Sequence, residues 1–474
     1  MKLFLLGLGS MRREQIDVAR ALKAHHEIQY WVRMKKYFSI DEEEFSGTVF
    51  HEYFDTMQGR SASGMNDTAP DPWGADDIKS YADTESEFMS MADKWYPDWP
   101  VNQRKEFYYA LLAYWGALLQ RFRPDCIVMT SVPHEMYTFV IYAIAKRRSI
   151  RTLIIDDTVL DSDRSVLVED YTKGSPALAR AAQEGEGTLD ELSEEMRAYY
   201  LRMTQSADPA PPLMETFFKT HTPLSNLRRW GRVFGAFVKD GTIWQRAPRK
   251  ILRLLQPDLL DEYKRWQRPA DLDRPFVYFP LHYQPELTTS PSGGIYVDQL
   301  LAIKTAAAGL PEGWELYVKE HPAQVGVHGG RETPVRYLGY YHAIASIPGV
   351  RLVPIRTNTF VLLDNARTTA TITGTAAWES ILRGKCALVF GYPWFMHAPG
   401  IMRVASVAQC RDAFAHVARG ARPRQGEVLR YLRVLDRVAL RVYLQTLKPG
   451  REDAWRSLAQ AILKTLASFA SESR

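Results

Sequence analysis

Three short runs of this chain gather the side chains and backbone groups that handle phosphates and sugar hydroxyls. The first is His282-Tyr-Gln-Pro-Glu286, followed by Leu-Thr-Thr-Ser-Pro-Ser-Gly-Gly294. A histidine titrates near neutral pH, and Glu286 can serve as acid, base or ligand to a ribose or sugar hydroxyl. His282 and Glu286 are therefore catalytic candidates, and Gln284 is a binding candidate. The second run is Lys319-Glu-His321-Pro322. Lys319 or His321 can neutralise a phosphate oxygen, and Pro322 fixes the turn that holds the imidazole. The third, Thr373-Gly374-Thr375-Ala-Ala-Trp-Glu379, sets a glycine between two hydroxyls and a carboxylate one helical turn further on. Where a helix starts at such a run, its free N–H groups and dipole attract a phosphate, the hydroxyls add hydrogen bonds, and Glu379 can hold ribose hydroxyls. The plainer account is a threonine N-cap, a glycine turn and a dipole-matched glutamate. Gly391-Tyr-Pro-Trp-Phe395 can line a base or sugar pocket, or pack as an aromatic turn on the core.

Other chemistries are set aside by what the 474 residues lack. There is no Gly-Lys-Ser/Thr phosphate loop and no Gly-x-Gly-x-x-Gly, which argues against a kinase, an ATPase or a dehydrogenase. Gly7-Leu-Gly9 reads as a tight strand-to-helix turn. Cys126, Cys386 and Cys410 are too far apart for a zinc site or a disulfide framework, so no metal is expected and a reducing cytoplasm is the default. A formal charge of +5 is too small to argue for nucleic acid. No apolar run reaches the ~18 residues of a membrane span, so any membrane role must be peripheral.

In an open α/β sheet, ligands bind outside the carboxyl ends of the strands, so each of these runs must follow a strand. The hydrophobic pattern supplies them. Lys2–Leu6, Glu27–Val32, Arg123–Thr130 and Thr152–Asp157 read as strands, with helices at Ile16–Lys23, about 102–121 and Glu135–Arg147. From Pro275 the rhythm returns: Phe276–His282, Trp314–Lys319, Val350–Ile355, Thr369–Thr373 and Lys385–Gly391 are strands. A helix Val297–Gly309 is expected to turn Val297, Leu300, Leu301, Ala307 and Ala308 inward. The expected fold is α/β: two Rossmann-like domains facing a cleft, a helical, basic middle insertion, and C-terminal helices packing back. The boundaries are 1–170 (acceptor domain), 171–270 (linker or insertion), 271–420 (nucleotide domain) and 421–474 (terminal helices). In the middle, Glu184–Glu195 reads as an acidic helix and Asp208–Pro212 as a hinge. Residues 219–253 hold nine Lys or Arg against Asp240, interleaved with Trp230, Phe234, Phe237 and Trp244. That stretch is either a surface for a phosphorylated lipid or anionic glycan, or a solvated helix face. An anionic partner would be sought there and on the arginine face of 430–441.

The run from Phe276 to Phe395 contains Phe-Pro-Leu-His-Tyr-Gln-Pro-Glu286, Val-Lys-Glu-His-Pro322, Thr-Gly-Thr-Ala-Ala-Trp-Glu379 and Val-Phe-Gly391. It resembles the nucleotide-binding half of bacterial capsule and surface polysaccharide biosynthesis glycosyltransferases. These have the two-Rossmann GT-B architecture and are related to the CMP-sugar transferases with a His-Pro motif, including β-Kdo transferases. The likeness covers about a quarter of the chain, extends weakly to Ser131-Val-Pro-His-Glu135 and the strand ending Asp156-Asp157, and stops between about 170 and 270. It implies that His321 and Pro322 contact the phosphate of a CMP-sugar, that Thr373, Gly374 and Thr375 form the phosphate-binding helix start, and that Glu379 holds the ribose. The acidic-acidic-glycine triplet of sialyltransferases is absent, which sets sialic acid aside and leaves the catalytic carboxylate open among Glu135, Asp156, Asp157 and Glu286. The implied activity is metal-independent transfer of a sugar, such as Kdo from CMP-Kdo, to a glycan or lipid-linked acceptor. The implied setting is the cytoplasm, at the inner face of the membrane or within a polysaccharide assembly complex. No cofactor is expected beyond the donor. The alternatives are a CDP-glycerol-type glycerophosphotransferase, a sugar-nucleotide epimerase, or a non-catalytic scaffold of such a complex.

Overall fold

The structure, a computed structural model, describes residues 1–9, 13–35, 40–65, 74–158, 160, 164–183, 185–205, 259–284, 286, 289–328, 331–442 and 453–472. The Asp208–Pro212 hinge and the basic stretch 219–253 lie outside the described residues.

Two six-stranded sheets carry the fold. The first contains β1 (Lys2–Leu6), β2 (Glu27–Arg33), β3 (Val49–Glu52), β4 (Cys126–Met129), β5 (Arg151–Thr158) and β6 (Arg164–Val168), in the order β3-β2-β1-β4-β5-β6. All its pairs are parallel except β5 with β6. The second contains β7 (Phe276–Pro280), β8 (Glu315–Lys319), β9 (Val350–Leu352), β10 (Thr368–Thr371), β11 (Ala387–Val389) and β12 (Ile401–Arg403), in the order β12-β11-β10-β7-β8-β9 and parallel throughout. Both are the doubly wound order 3-2-1-4-5-6. Helices cover both faces, so the central strands are buried on both sides. In β1, Leu3 and Leu5 pack toward the helices Gln15–Lys23 and Ala454–Glu472, while Phe4 and Leu6 pack toward Val101–Phe122 and Met136–Arg147.

Three expectations need correction. Of the helix expected over Glu184–Glu195, residues 185–193 form no α-helix: Gly185 is left-handed (φ 64°), Glu191 accepts from the Thr188 amide at 3.0 Å to cap a single 3-10 turn at Leu189–Glu191, and the helix begins only at Glu194. Acidic composition favours a helix here, but glycine breaks it. The helix after β7 runs Gln299–Ala308, capped by Asp298, and turns in Gln299, Ala302, Ile303 and Ala306, leaving Leu301 and Ala308 exposed. Its phase is set by a polar residue, since Gln299 accepts from the His282 amide at 2.7 Å. Third, the arginine face of the helix Gln425–Val438 is partly engaged by carboxylates of the chain itself. Arg433 pairs with Glu191, and just beyond the helix Arg441 lies 3.6 Å from Glu195.

The C-terminal helices pack back across the first half as expected. Val428, Leu432 and Leu435 are buried in the first-half core, and Trp455, Leu458, Ile462 and Leu466 cover the helix Gln15–Lys23. The halves meet through Trp378, whose indole donates to the Tyr199 hydroxyl at 2.9 Å, through the His397 ring at 2.7 Å from the Lys173 carbonyl, and through the Tyr171 and Tyr392 rings.

Candidate functional site at the second switch point

In the order 3-2-1-4-5-6 the crossovers from the two innermost strands run in opposite directions, which opens a crevice at their carboxyl ends. In the second sheet those strands are β7 and β10. The residues that follow them are His282 and Thr373-Gly374-Thr375, so two of the sequence runs face each other there, through His282 and Thr373, 91 residues apart. The Gly374 amide donates to Thr371 Oγ1 at 3.3 Å, and Thr371 Oγ1 lies 3.0 Å from His282 Nε2. The Thr373 amide also donates to His282 Nε2, at 3.3 Å. A nitrogen that accepts from an amide carries no proton, so the His282 proton sits on Nδ1, 4.0 Å from Glu286 Oε1. Burial, with His321 and Arg336 nearby, lowers the His282 pKa to about 3 and keeps the ring neutral.

Past these contacts the helix Thr375–Leu382 begins with no side-chain cap. Among the described residues, the Thr375 and Ala376 amides donate to nothing. Close packing explains the glycines beside this helix start. A Cβ on Gly374 would lie 2.8 Å from Thr371 Oγ1, and one on Gly391 would lie 2.4 Å from the Ser292 carbonyl and 2.6 Å from Thr373. Thus the loop 289–294 presses on the end of β11 and walls the crevice. Glu379, one turn into the helix, is buried and hydrogen-bonded by Thr375. Burial raises its pKa to about 7, against the lowering effects of Thr375, Arg383 and Lys319.

His321 closes the neighbouring side. The Ala323 amide donates to His321 Nδ1 at 3.2 Å, so the proton is on Nε2, and burial lowers the pKa of this ring as well. It is therefore a neutral N–H donor. Pro322 opens the helix Pro322–His328. Lys319 is buried, and its Nζ donates to the Thr357 carbonyl at 2.9 Å and Thr359 Oγ1 at 2.6 Å, on the side of the sheet that also carries Tyr278 and Glu379. Gln284 has both N–H bonds and its oxygen engaged within the protein, by Thr289, Val297, Gln299 and Arg336, and acts as a strut between loops.

Sequence reasoning missed the centre of this strut system. Glu320 and Arg336 form an ion pair at 2.7 Å with side chains 0% and 1% exposed. Alternation along β8 offers a signal for Glu320, because it falls on the face of Leu316 and Val318 and so needs a buried cation. Nothing local marks Arg336 as that cation.

On the first half, the catalytic candidates differ in how their carboxyls are held. Glu135 precedes the helix Met136–Arg147 and accepts from the Tyr53 and Tyr137 hydroxyls. Asp157 lies 2.5 Å from Ser165 Oγ, which is also 2.6 Å from the Val442 carbonyl. Asp156, beyond the end of β4 and on the face of Ile154, is half-buried and makes no hydrogen bond or ion pair through its carboxyl among the described residues. Burial raises Asp157 to about 6, and burial with Asp157 raises Asp156 to about 7. A cavity of about 490 Å³ lies elsewhere, at the far end of the helix Thr375–Leu382 between Ile381, Arg383, Tyr200 and Gln425. Open amides, converging polar groups and the strand crossover favour the switch point over that cavity. Among the described residues no three His, Cys, Asp or Glu side chains gather as metal ligands, and no helix is long and apolar enough to cross a membrane.

The fold is thus a pair of Rossmann-like α/β halves of GT-B type, with a crevice at the β7/β10 switch point of the second. Residues 289–422, which include His321, Pro322 and the Thr373 helix start, match the model of a family described as capsule polysaccharide biosynthesis protein. No curated protein matches the chain. Similar solved structures include the β-Kdo 2,4 transferase KpsC of Thermosulfurimonas dismutans, at 13% identity over 65% of this chain and 78% of that one, with a TM-score of 0.28. The UDP-GlcNAc 2-epimerase of Methanocaldococcus jannaschii is similar at 11% identity over 92% and 99% of the two chains, with a TM-score of 0.25. The calicheamicin glycosyltransferase CalG4 is similar at 12% identity over 98% of each, with a TM-score of 0.24. Likeness at this level carries no argument about activity.

Proposed function

We propose that the protein is a glycosyltransferase of capsule or surface polysaccharide biosynthesis that takes its sugar, in this reading Kdo from CMP-Kdo, from a nucleotide donor. The observation that carries the reading is the uncapped helix start at Thr373-Gly374-Thr375, at the β7/β10 switch point and within the matched segment 289–422. The donor phosphate sits on the Thr375 and Ala376 amides, where backbone dipoles meet its charge without reorganising. His321 Nε2–H donates to the same phosphate, and Glu379 holds the ribose.

Asp156 supplies the carboxylate of the first half. If the reaction inverts configuration, Asp156 takes the proton of the acceptor hydroxyl, the new C–O bond forms, and the sugar–phosphate bond breaks with its electron pair leaving on the phosphate. If it retains configuration, Asp156 attacks the sugar carbon as the phosphate leaves with the bond's electron pair, and the acceptor oxygen then displaces Asp156 while its proton passes to the departed phosphate. The acceptor, a glycan or lipid-linked saccharide, lies against the first half, and the protein works in the cytoplasm at the membrane surface. A thermal-shift screen with CMP, CDP, UDP and GDP tests the site: the right nucleotide at 100 times its dissociation constant adds ~2.7 kcal/mol of stability. Asp156→Asn is expected to keep that shift and lose transfer. If no nucleotide raises the melting temperature, the proposed site is wrong.

A further inference from the structure

We infer that the buried Glu320–Arg336 pair is the positioning element of the nucleotide crevice, locking the loops after β7 and β8 so that His321 and the Thr373 helix start, which His282 holds, face one bound phosphate. This inference rests on the nucleotide-site reading above.

The pair is wired into both loops. Arg336 Nη2 donates to the His282 carbonyl at 3.1 Å, and Nη1 donates to Gln284 Oε1 at 3.2 Å, so one guanidinium holds the backbone and side chain of the loop after β7. Its Nε donates to Glu320 Oε2 at 2.7 Å. The other oxygen, Glu320 Oε1, accepts from the His321 amide at 2.8 Å, which holds the loop after β8. Tyr341 donates its hydroxyl to Glu320 Oε2 at 2.7 Å, and the Arg336 guanidinium stacks over the Tyr340 ring at 4.6 Å. Each loop carries one of the two imidazoles, and the pair is the charged bridge between them.

The energetics argue for position over stability. Desolvating two charges costs about as much as their attraction returns, and replacing a buried pair by apolar groups is often neutral. A planar five-donor guanidinium, in contrast, fixes several acceptors at defined angles. Lysine reaches as a point charge and cannot hold His282, Gln284 and Glu320 together.

A Glu320→Leu, Arg336→Met, Tyr341→Phe variant separates the two roles, because His282 and Gln284 keep their Gln299 hydrogen bonds and no buried charge is orphaned. It is expected to melt close to the parent, yet to bind the nucleotide chosen from CMP, CDP, UDP and GDP about tenfold more weakly, with donor KM raised more than kcat is lowered. Parent affinity and an unchanged KM in the folded variant overturn the inference. If the triple variant does not fold, Arg336→Lys decides, since it keeps a charge beside Glu320 but loses the fork. Weakened nucleotide binding supports the inference, and parent affinity overturns it. A parent protein that no nucleotide shifts would instead sink the site itself, before any variant is made.

Discussion

The two sheets have one topology, and the groups at their carboxyl ends are set for opposite tasks. At the first switch point Gly7 follows β1 so closely that a Cβ there would lie 2.2 Å from Thr130 Oγ1 beyond β4. Around that edge stand Glu135, Asp156 and Asp157, the latter two raised to about 7 and 6 because burial disfavours their charge. At the second switch point stand an uncapped helix start and two imidazoles kept neutral by burial. One edge therefore gathers carboxyls that hold protons more tightly than free ones, while the other presents backbone N–H groups and the Nε2–H of His321. Strand order provides a crevice in each half, and the side chains decide what enters it.

The sharpest way to break this contrast is Arg336→Ala, which strands Glu320 in the second half without a cation. It should cost about 3–5 kcal/mol in a urea titration, and a cost under about 1 kcal/mol would show the pair to be replaceable by solvent. Next come the paired glycines. Gly391→Ala should cost about 1–3 kcal/mol, because backbone must move, and should remove the nucleotide-induced melting shift. Gly7→Ala, at a left-handed φ of 91°, should destabilise too, yet leave that shift intact. If both variants lose the shift, the two edges are not functionally distinct.

Acidity sharpens the contrast further. The unfolded chain protonates His282 near pH 6.5 and the folded chain only near 3, so stability is lost as pH falls through that window. Between pH 7 and 5 this amounts to about 2 kcal/mol for one such group, and His282→Asn should flatten the difference by that amount. Asp156 has the opposite sign. Its folded pKa of about 7 lies above the unfolded 3.8, so stability is lost as pH rises toward 7 and Asp156→Asn should gain more at pH 8 than at pH 4. The smallest effect is expected outside both edges. Arg433→Gln removes a partly exposed pair with Glu191 and should cost under about 1 kcal/mol, without touching nucleotide binding.

The central strands β1, β4, β5, β7 and β8 were legible in the sequence because they are buried on both faces and centre on apolar runs, and β10, Thr-Thr-Ala-Thr, because threonine favours strands. The edge strands β3, β6 and β12 were not. β12 is three residues long with no fully buried side chain, so it leaves no hydrophobic pattern. The inward face of the helix Gln299–Ala308 was misjudged for a related reason: hydrogen bonding to His282 overrode the leucine count.

At the candidate site, Thr373-Gly374-Thr375 could be placed from sequence because a helix start is local chemistry. The bridge from Glu320 to Arg336 joins residues sixteen apart across the helix Pro322–His328, and nothing local marks Arg336 as the partner. By itself, then, the sequence determined which residue types stand after which strands, since hydrophobic period and turn chemistry act over a few neighbours. Only the tertiary structure decided their protonation and their partners. The proton position on His282 depends on the Thr373 amide brought from a distant loop, and the raised pKa of Asp156 depends on its burial in the folded chain.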